Sequence, residues 1–461
     1  IVIGSGPGGS ISSYFLKKKL KNVLLLEKGK YFSSSKKKHP GKEFIYKWKN
    51  GGINTTVLNN QISFASGECL GGGSEINSGL LHYPDKQMIN EWINDFKIND
   101  LMYEDLTHQL KKMTDIVPIT RMNDEKQNHL GKIFLNGIKK ENLKYETLYK
   151  FQHQREDKEI KSSMTNTLIN MFLKDGGKIE TNFEVDKIYK SQNYWHIIGL
   201  KNKKNICYKS KYIFLCAGSI YTNILLAKNN LVKKSKVNEF KFHPMLKLIV
   251  QYNDEVQKGD ENVHNIQITD YLPDYLIGQA ASGYQFLKMA SFNSKKLQIN
   301  IENNWKKMSI YHVTFSIGKG KIYFPRLLKK PILGYKISNS ELDLIKDSIR
   351  NSSKLLFSTG AKSIYIVGKK LIKLDISNLE AKLKKIKNVS QLKFSSVHIL
   401  GGVKSGEANN NSVDSYGKLK DHENFYVNDS SLIYNKLLKN PQGTIMSISK
   451  RNIDNFLSKI G

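Results

Sequence analysis

The chain is poor in cysteine and has no long hydrophobic run. Its three cysteines, Cys69, Cys207 and Cys216, are widely spaced and fit neither a disulfide framework nor a metal site. We therefore expect a reducing compartment, the cytoplasm, and no bound metal. No window approaches the roughly eighteen uninterrupted apolar residues of a membrane helix, so we expect no transmembrane segment.

Acidic residues are scarce as well, with 41 Asp and Glu against 73 Lys and Arg and a formal net charge of +32. Such a charge would ordinarily suggest nucleic acid or an anionic surface as a partner. The lysines, however, are scattered as doublets and triplets, and no stretch interleaves them with aromatic residues as nucleic-acid-binding segments do. We interpret them as a solvated surface and expect no nucleic-acid partner.

The start of the chain coincides with a strand-forming segment and lacks an initiator methionine. We therefore expect a few native residues before Ile1, and a signal peptide stays an open alternative. The length of 461 residues leaves room for two or three domains with a large buried core.

Glycine is abundant directly after this first strand. The pattern G-x-G-x-x-G is matched by Gly4, Gly6 and Gly9. One glycine permits the tight turn, one lets the backbone touch a pyrophosphate, and one allows close packing of helix on strand. A second apolar run ends at Glu27, where a dinucleotide fold places an acid for a ribose 2′-OH. The pattern predicts binding of an adenosine diphosphate moiety, with an ordinary βαβ turn as the alternative.

A second glycine-rich segment spans residues 67–79. Its glycines and small polar residues leave backbone N–H groups accessible, which suits an anion or a flat ring. A flexible hinge is the alternative. The lysine-rich stretch 29–60 shows little periodicity and predicts a surface loop.

Hydrophobic periodicity predicts the remaining elements. Residues 90–135 and 163–173 have helical spacing, and residues 178–189 are strand-like. The segment 211–218 is almost continuously apolar, as expected of a strand that is covered on both faces in a parallel sheet.

From His243 onward apolar and polar residues alternate, which predicts a half-exposed antiparallel sheet in a second domain. A capping box at Ser338 and Glu341 opens its long helix. The fold class is therefore α/β: a Rossmann-like nucleotide-binding domain with a second domain built on an antiparallel sheet with helices. Such a layer of sheet and helix would form the floor of a substrate pocket.

Four short motifs follow in order near the C-terminus. They are H-x-x-G from His398, a V-D pair at 413–414, a strand leading into D-x-S at Asp429, and N-P-x-x-T-I from Asn440. Together with the N-terminal fingerprint and the glycine-serine-asparagine run, they give a chain that resembles the glucose-methanol-choline (GMC) oxidoreductases. The resemblance implies an FAD-binding domain, a substrate domain and oxidation of an alcohol.

The resemblance also implies roles for residues. His398 would remove the hydroxyl proton, Asn440 would hydrogen-bond the same oxygen, and FAD would accept the hydride at N5. Further cofactor contacts implied by the resemblance are Gly72, Gly73, Ser74, Asn77, Val185, Ala217, Gly218, Asp429 and Pro441. Relatives with covalent FAD carry a histidine near position 76, so Ile76 implies non-covalent FAD.

Each of these side chains also has a simpler interpretation. Without the resemblance, His398 is typical of a core histidine and Asn440 of a helix N-cap. His82 and His243 are weaker candidates, and we expect a structural role for His243.

The implied domain organisation alternates along the chain. Its parts are an FAD-binding segment at 1–90, a helical lid or connecting subdomain at 91–160, a second FAD-binding segment at 161–242, the substrate domain at 243–390 and a C-terminal FAD-binding segment at 391–461.

The predicted function is FAD-dependent oxidation of an alcohol, sugar, polyol or sterol-like substrate, with an unidentified electron acceptor. An FAD-containing lyase or decarboxylase of the same fold, and a basic nucleic-acid-binding protein with a vestigial nucleotide fold, stay open as alternatives.

Overall fold

The computed structural model describes residues 1–32, 40–121, 123–155, 158–258, 265–325, 330–434 and 438–460. Its helices in chain order are α1 (Pro7–Lys19), α2 (Pro40–Lys47), α3 (Gly73–Ile76), α4 (Lys86–Phe96), α5 (Tyr103–Ile116), α6 (His129–Lys140), α7 (Leu168–Lys174), α8 (Ser219–Lys228), α9 (Tyr284–Ala290), α10 (Lys295–Asn304), α11 (Leu342–Ser358), α12 (Leu379–Lys384) and α13 (Gln442–Ile460). None of the helices in the described part of the chain combines the length and apolarity that crossing a bilayer requires.

The strands of the first half are β1 (Val2–Ile3), β2 (Leu24–Leu26), β3 (Asn54–Thr55), β4 (Leu58–Asn59), β5 (Ile62–Phe64), β6 (Leu80–Leu81), β7 (Thr120–Arg121), β8 (Tyr145–Thr147), β9 (Tyr149–Lys150), β10 (Gln152–Arg155), β11 (Lys158–Lys161), β12 (Lys178–Glu180), β13 (Glu184–Ser191), β14 (Tyr194–Lys201), β15 (Lys204–Ser210) and β16 (Ile213–Leu215). Those of the second half are β17 (Glu239–Phe242), β18 (Met245–Gln251), β19 (Ile266–Ile268), β20 (Tyr275–Gln279), β21 (Met308–Phe315), β22 (Lys319–Tyr323), β23 (Ile332–Lys336), β24 (Ser363–Ile366), β25 (Ile372–Leu374), β26 (Phe394–Ser396), β27 (Ile399–Leu400) and β28 (Phe425–Val427).

The first sheet is parallel and has five strands in the order β12-β2-β1-β16-β28. Apolar residues from α1 and α13 pack on one face, and α8 with the β13-β14-β15 sheet covers the other. The prediction of a Rossmann-like unit with a fully covered strand at 213–215 is confirmed. Because β1 lies between β2 and β16, its carboxyl end is the switch point at which open parallel sheets bind ligands.

The predicted strand at 178–189 is two strands. The short β12 joins the parallel sheet, whereas β13 begins a separate antiparallel sheet with β14 and β15. Between them Asn182 adopts a φ of 56°, in the left-handed region that turns the chain. Because the apolar pattern continues through the turn, the sequence does not show that β12 and β13 are separate strands.

The second large sheet has ten strands, with β18 pairing antiparallel to β21, β24 and β26. The antiparallel prediction is confirmed, but the half-exposed surface is wrong. Leu246, Leu248 and Val250 pack with α6 and α11 on one side. On the opposite side Ile249 packs under α9 and α10, and Lys247 faces a cavity. The polar residues of the alternation therefore face an internal space.

Helices α4, α5 and α6 confirm the helical prediction for 90–135, and both halves of the capping box at Ser338 and Glu341 are present before α11. The loop predicted at 29–60 is wrong where the structure describes it, because α2, β3 and β4 lie there; residues 33–39 lie outside the described ranges. Strands β3 and β5 join the ten-stranded sheet, and β4 pairs with β23. Residues 54–64 thus contribute strands to the ten-stranded sheet and to the sheet that contains β23.

Candidate active site

One large cavity lies between the carboxyl edge of the parallel sheet and the ten-stranded sheet. Its volume is about 2990 Å³, and its walls include the first glycine turn on one side and Lys247 and His312 on the other. A pocket for one small ligand usually occupies roughly 300–1,000 Å³. The cavity therefore has space for two molecules side by side.

The first glycine turn combines two different uses of glycine. Gly4 has a φ of +96°, and a Cβ there would lie 2.3 Å from the carbonyl oxygen of Cys216. A Cβ on Gly9 would lie 1.8 Å from the carbonyl oxygen of Gly4, so helix α1 can approach β1 only without a side chain. Gly6 differs, because a Cβ there would meet no protein atom within 4 Å. The space that Gly6 leaves open belongs to the cavity.

Two more glycines leave the same kind of opening. A Cβ on Gly73 or on Gly218 would also meet no protein atom within 4 Å, and both residues line the cavity. Gly6 is the N-cap of α1, so the N–H groups of its first turn and the positive end of its dipole point to this region. A bare backbone cradle beside a helix N-terminus fits a dinucleotide pyrophosphate.

Glu27 stands at the end of β2 on the cavity wall. Its carboxylate accepts hydrogen bonds from the backbone N–H of Ser5 (2.9 Å), the hydroxyl of Ser5 (2.6 Å) and the N–H of Gly29 (2.7 Å). Burial raises the pKa of this carboxyl. The Ser5 hydroxyl accepts a bond from the N–H of Gly71, so these contacts join the two glycine-rich segments. A carboxylate has further lone pairs with which to accept a ribose hydroxyl.

Most residues that the resemblance assigned to the cofactor line this one cavity. They are Gly4, Gly6, Glu27, Gly72, Gly73, Asn77, Val185, Ala217, Gly218, Asp429 and Pro441. Gly9 and Ser74 do not line it. The hydroxyl of Ser74 is buried, donates to the carbonyl of Gly71 (2.8 Å) and accepts from the N–H of Met164 (3.0 Å). Ser74 therefore supports the loop from behind.

Asp429 holds the loop after β16. Its carboxylate accepts bonds from the N–H of Gly218 (2.8 Å), the hydroxyl of Thr222 (2.6 Å) and the N–H of Ser431 (2.8 Å). The side chain is therefore committed to positioning the bare backbone of Gly218, and burial raises the pKa of the carboxyl. Any contact of Asp429 with a ligand is left to its backbone.

His398 borders the cavity and is paired with a second histidine. The Nδ1 atoms of His398 and His243 are 3.0 Å apart, and the ring planes are nearly perpendicular, at 87°. His243 is 1% exposed and lies behind His398, with an Nε2 atom that has no hydrogen-bond partner in the described structure. Burial, followed by the nearby His312, lowers the pKa of His398 to about 4, and burial also lowers that of His243. Both rings are neutral at neutral pH.

Asn440 also borders the cavity, at the start of α13. Its backbone N–H donates to Nδ1 of His82 at 2.8 Å. His82 is buried, and burial lowers its pKa to about 3, so Nδ1 stays an acceptor. Close by, the Asn77 side-chain amide donates to Oε1 of Gln442 at 2.5 Å. These bonds attach the second glycine segment to the first turn of the final helix.

Two histidines are thus more closely involved than the sequence predicted. His243 contacts the candidate base directly, and His82 orients Asn440, while Gln442 was not predicted at all. The partners are separated by 155, 358 and 365 residues. The only signal in the sequence was the position of each histidine at the end of an element.

Two family models match the chain. Both are described as GMC oxidoreductase, the N-terminal one over residues 43–245 and the C-terminal one over residues 325–449. This chain belongs to the GMC oxidoreductase family. As a family member it is an oxidoreductase that acts on CH–OH donors, and the family is in general FAD-dependent.

Relatives match across most of this GMC oxidoreductase. An uncharacterised GMC-type oxidoreductase, y4nJ, from Sinorhizobium fredii (strain NBRC 101917 / NGR234) is 23% identical, over 99% of this chain and 94% of its own length. The long-chain-alcohol oxidase FAO4B from Arabidopsis thaliana is 20% identical, over 100% of this chain and 68% of its own. The crystal structure of pyridoxine 4-oxidase from Mesorbium loti matches with a TM-score of 0.77 at 13% identity, over 99% of this chain and 98% of that one. The last comparison shows that the fold is shared.

Cys216 lines the cavity, whereas Cys69 and Cys207 do not. Cys69 and Cys216 are buried, Cys207 is exposed, and all three are free. Within the described ranges no cluster of histidine, cysteine and carboxylate side chains could hold a metal ion.

Proposed function

We propose that this protein binds FAD non-covalently and oxidises the CH–OH group of a small alcohol, with His398 as the base. The observation that carries the proposal is His398, which is backed by His243 and borders the same cavity as the bare cradle of Gly6, Gly73 and Gly218. The cradle would hold the FAD pyrophosphate, and Glu27 would accept the ribose hydroxyl. When bound, FAD supplies the electron acceptor that takes the hydride, at N5, from the alcohol carbon.

The histidine pair determines which nitrogen faces the substrate as a base. Only one of the two Nδ1 atoms can carry the shared proton. If Nδ1–H of His398 donates to Nδ1 of His243, Nε2 of His398 keeps its lone pair for the hydroxyl proton. After that transfer, His398 is an imidazolium whose Nδ1–H still donates to His243. The pair thus holds the base in one tautomer through the step.

Two further residues support the assignment. Asn440 borders the cavity with its backbone tied to His82, so its side chain is free to hydrogen-bond the substrate oxygen. Ile76 also lines the cavity, and its aliphatic side chain offers no atom for a covalent bond to flavin. The name of the plant relative, a long-chain-alcohol oxidase, supports an alcohol as the donor.

The test is anaerobic reduction of the bound flavin by alcohols. We expect the purified protein to be yellow and to release its flavin on acid precipitation. His398→Ala should keep FAD but reduce flavin reduction by roughly 10²–10⁴-fold, the usual contribution of a positioned base. His108→Ala, which removes an exposed histidine on α5, is the matched control.

Full activity of His398→Ala would remove the residue from its role as base. Colour that stays with the acid-precipitated protein would contradict non-covalent binding. Since oxygen is absent, bleaching in proportion to alcohol added measures net oxidation and separates it from lyase or decarboxylase chemistry.

A further inference from the structure

A row of four residues crosses the ten-stranded sheet on the side of the cavity. Lys247 on β18 lies opposite His312 on β21, His312 lies opposite Gly278 on β20, and Gly278 lies opposite Gln267 on β19. Residues opposite one another in a sheet point to the same face. The side chains of Lys247, His312 and Gln267 all line the cavity.

Lys247 is a half-buried cation in this row without an acidic partner. In the part of the chain that the structure describes, no Asp or Glu forms an ion pair with it, and burial alone lowers its pKa. By contrast, Lys28 on the cavity wall pairs with Glu68 and Glu184, and Lys161 donates to the carbonyl of Asn77. Holding an ammonium group away from bulk water without a counter-charge is unfavourable. A negative group inside the cavity would remove this cost.

The neighbours of Lys247 add polar atoms aimed at the same space. Nδ1 of His312 hydrogen-bonds Thr314 at 2.9 Å, which leaves Nε2 of His312 toward Gly278. A Cβ on Gly278 would lie 3.0 Å from that Nε2, so the glycine makes room for the ring. Gln267 is 2% exposed, and its side-chain amide interacts with the ring of His82. His312 and Gln267 thus add polar side chains to the cavity wall beside Lys247.

The row lies within reach of one small molecule from the histidine pair. Lys247 follows His243 by four residues, so their Cα atoms are at most about 13 Å apart at an extended rise of about 3.3 Å per residue. Because the Lys247 side chain lines the cavity, a ligand has to span less than the distance between these two Cα atoms. A substrate could therefore place its hydroxyl at His398 and its far end at Lys247.

We propose that the substrate alcohol carries an anionic group, a carboxylate or a phosphate, which Lys247 binds while N–H groups of Gln267 and His312 donate the neighbouring hydrogen bonds. The inference rests on the proposed alcohol oxidation at the same site. The glycine cradle and the N-terminus of α1, on the opposite wall, would hold the pyrophosphate of the cofactor. The ammonium on the sheet is thus available to the substrate.

Two substrate pairs that differ in charge test the proposal on the FAD-loaded enzyme. They are 4-(hydroxymethyl)benzoate against benzyl alcohol, and glycerol 3-phosphate against glycerol. A charge-assisted hydrogen bond of about 1.5–3 kcal/mol corresponds to roughly 10–150-fold. We expect the wild type to prefer the anionic member of one pair by such a factor in kcat/KM for flavin reduction, and the pair that shows it identifies carboxylate or phosphate.

Lys247→Met should abolish this preference, and Lys247→Arg should keep part of it. Lys321→Met is the control, because Lys321 is exposed on β22 and does not line the cavity. Calorimetric titration of each holoenzyme with the two anionic compounds gives a readout that does not depend on turnover. Melting temperatures of the variants check that they are folded.

The possible results separate the two proposals. Lys247-dependent binding of an anionic compound without bleaching by any alcohol would support the anion site and contradict the alcohol oxidation. Bleaching by neutral and anionic alcohols alike, or no Lys247-dependent binding of either anion, would overturn the anion site and leave the oxidation intact. Loss of FAD from Lys247→Met would assign the lysine to the cofactor and would also overturn the inference.

Discussion

The two walls of the cavity are built in different ways. The nucleotide wall offers backbone, since Gly6, Gly73 and Gly218 leave space where side chains would be. The opposite wall offers side chains, with Lys247 and His312 projecting from neighbouring strands. A backbone site requires glycine at fixed spacing within a short segment, whereas a side-chain site requires that distant strands pair in the correct register. The backbone site can therefore be recognised from a short stretch of sequence, whereas the side-chain site cannot.

The histidine pair stands where the two walls meet. His243 follows β17 directly, and His398 precedes β27, which pairs with β17. Register between these two short strands brings the rings together. The proposed catalytic centre therefore depends on the pairing of segments that lie 155 residues apart.

The largest expected effect comes from filling the backbone wall. Gly6 has φ −61° and ψ −175°, which valine adopts readily, and a Cβ there meets no protein atom. Gly6→Val should therefore leave the apoprotein folded but weaken FAD binding by roughly 5–150-fold, since overpacking costs about 1–3 kcal/mol. The measurement is the flavin-to-protein ratio and a titration of apoprotein with FAD.

Gly9→Val is the contrasting variant. Its Cβ would lie 1.8 Å from the carbonyl oxygen of Gly4, so we expect loss of the fold itself. Normal flavin content in Gly6→Val would show that the cradle does not hold the cofactor.

The variant where the walls meet should affect turnover but not cofactor binding. His243→Leu removes the hydrogen-bond partner of His398 Nδ1 and leaves that nitrogen unpaired, a cost of about 1–3 kcal/mol. Turnover at saturating substrate should fall by roughly 5–150-fold while flavin content and KM change little. His243→Asn should recover part of the rate, because its Oδ1 can accept the same proton. Equal rates for Leu and Asn variants would contradict the positioning role.

The smallest effect concerns acid stability of the sheet wall. Burial and the nearby Lys247 lower the pKa of His312 from 6.5 to about 4. Below the unfolded pKa the unfolded chain binds a proton that the folded chain refuses, so this histidine makes stability fall as the pH decreases from about 6.5 to 4. His312→Gln should melt with a shallower dependence on pH across that range than the wild type.

The comparison of the two apoproteins isolates His312. Buried carboxyls with raised pKa values, such as Glu27 and Asp429, act in the opposite direction, but they are the same in both chains and cancel. Parallel pH curves for the two proteins would show that His312 is not held neutral by the fold.

The predictions from sequence succeeded where the physical requirement is local. The first glycine turn and the capping box at Ser338 each fall within a few residues, and the covered strand at 213–215 shows its burial as an unbroken apolar run. They failed for β3 and β4, because strands of two residues are too short to carry a pattern and are completed by partners elsewhere in the chain. The half-exposed sheet was wrong for a related reason, since alternation separates polar from apolar faces but does not say whether the polar face meets water or a cavity.

Sequence alone determined that this chain has a tight glycine turn after its first strand, a parallel sheet, a second antiparallel unit and a histidine within a family motif, because each of these requirements acts between residues close in the chain. Only the tertiary structure decided that His243 supports His398, that Ser74 faces away from the cavity and that Lys247 shares a polar row with His312. Those relations arise from strand register and from the packing of one sheet against another. Both are set by the summed burial of the whole core rather than by any single segment.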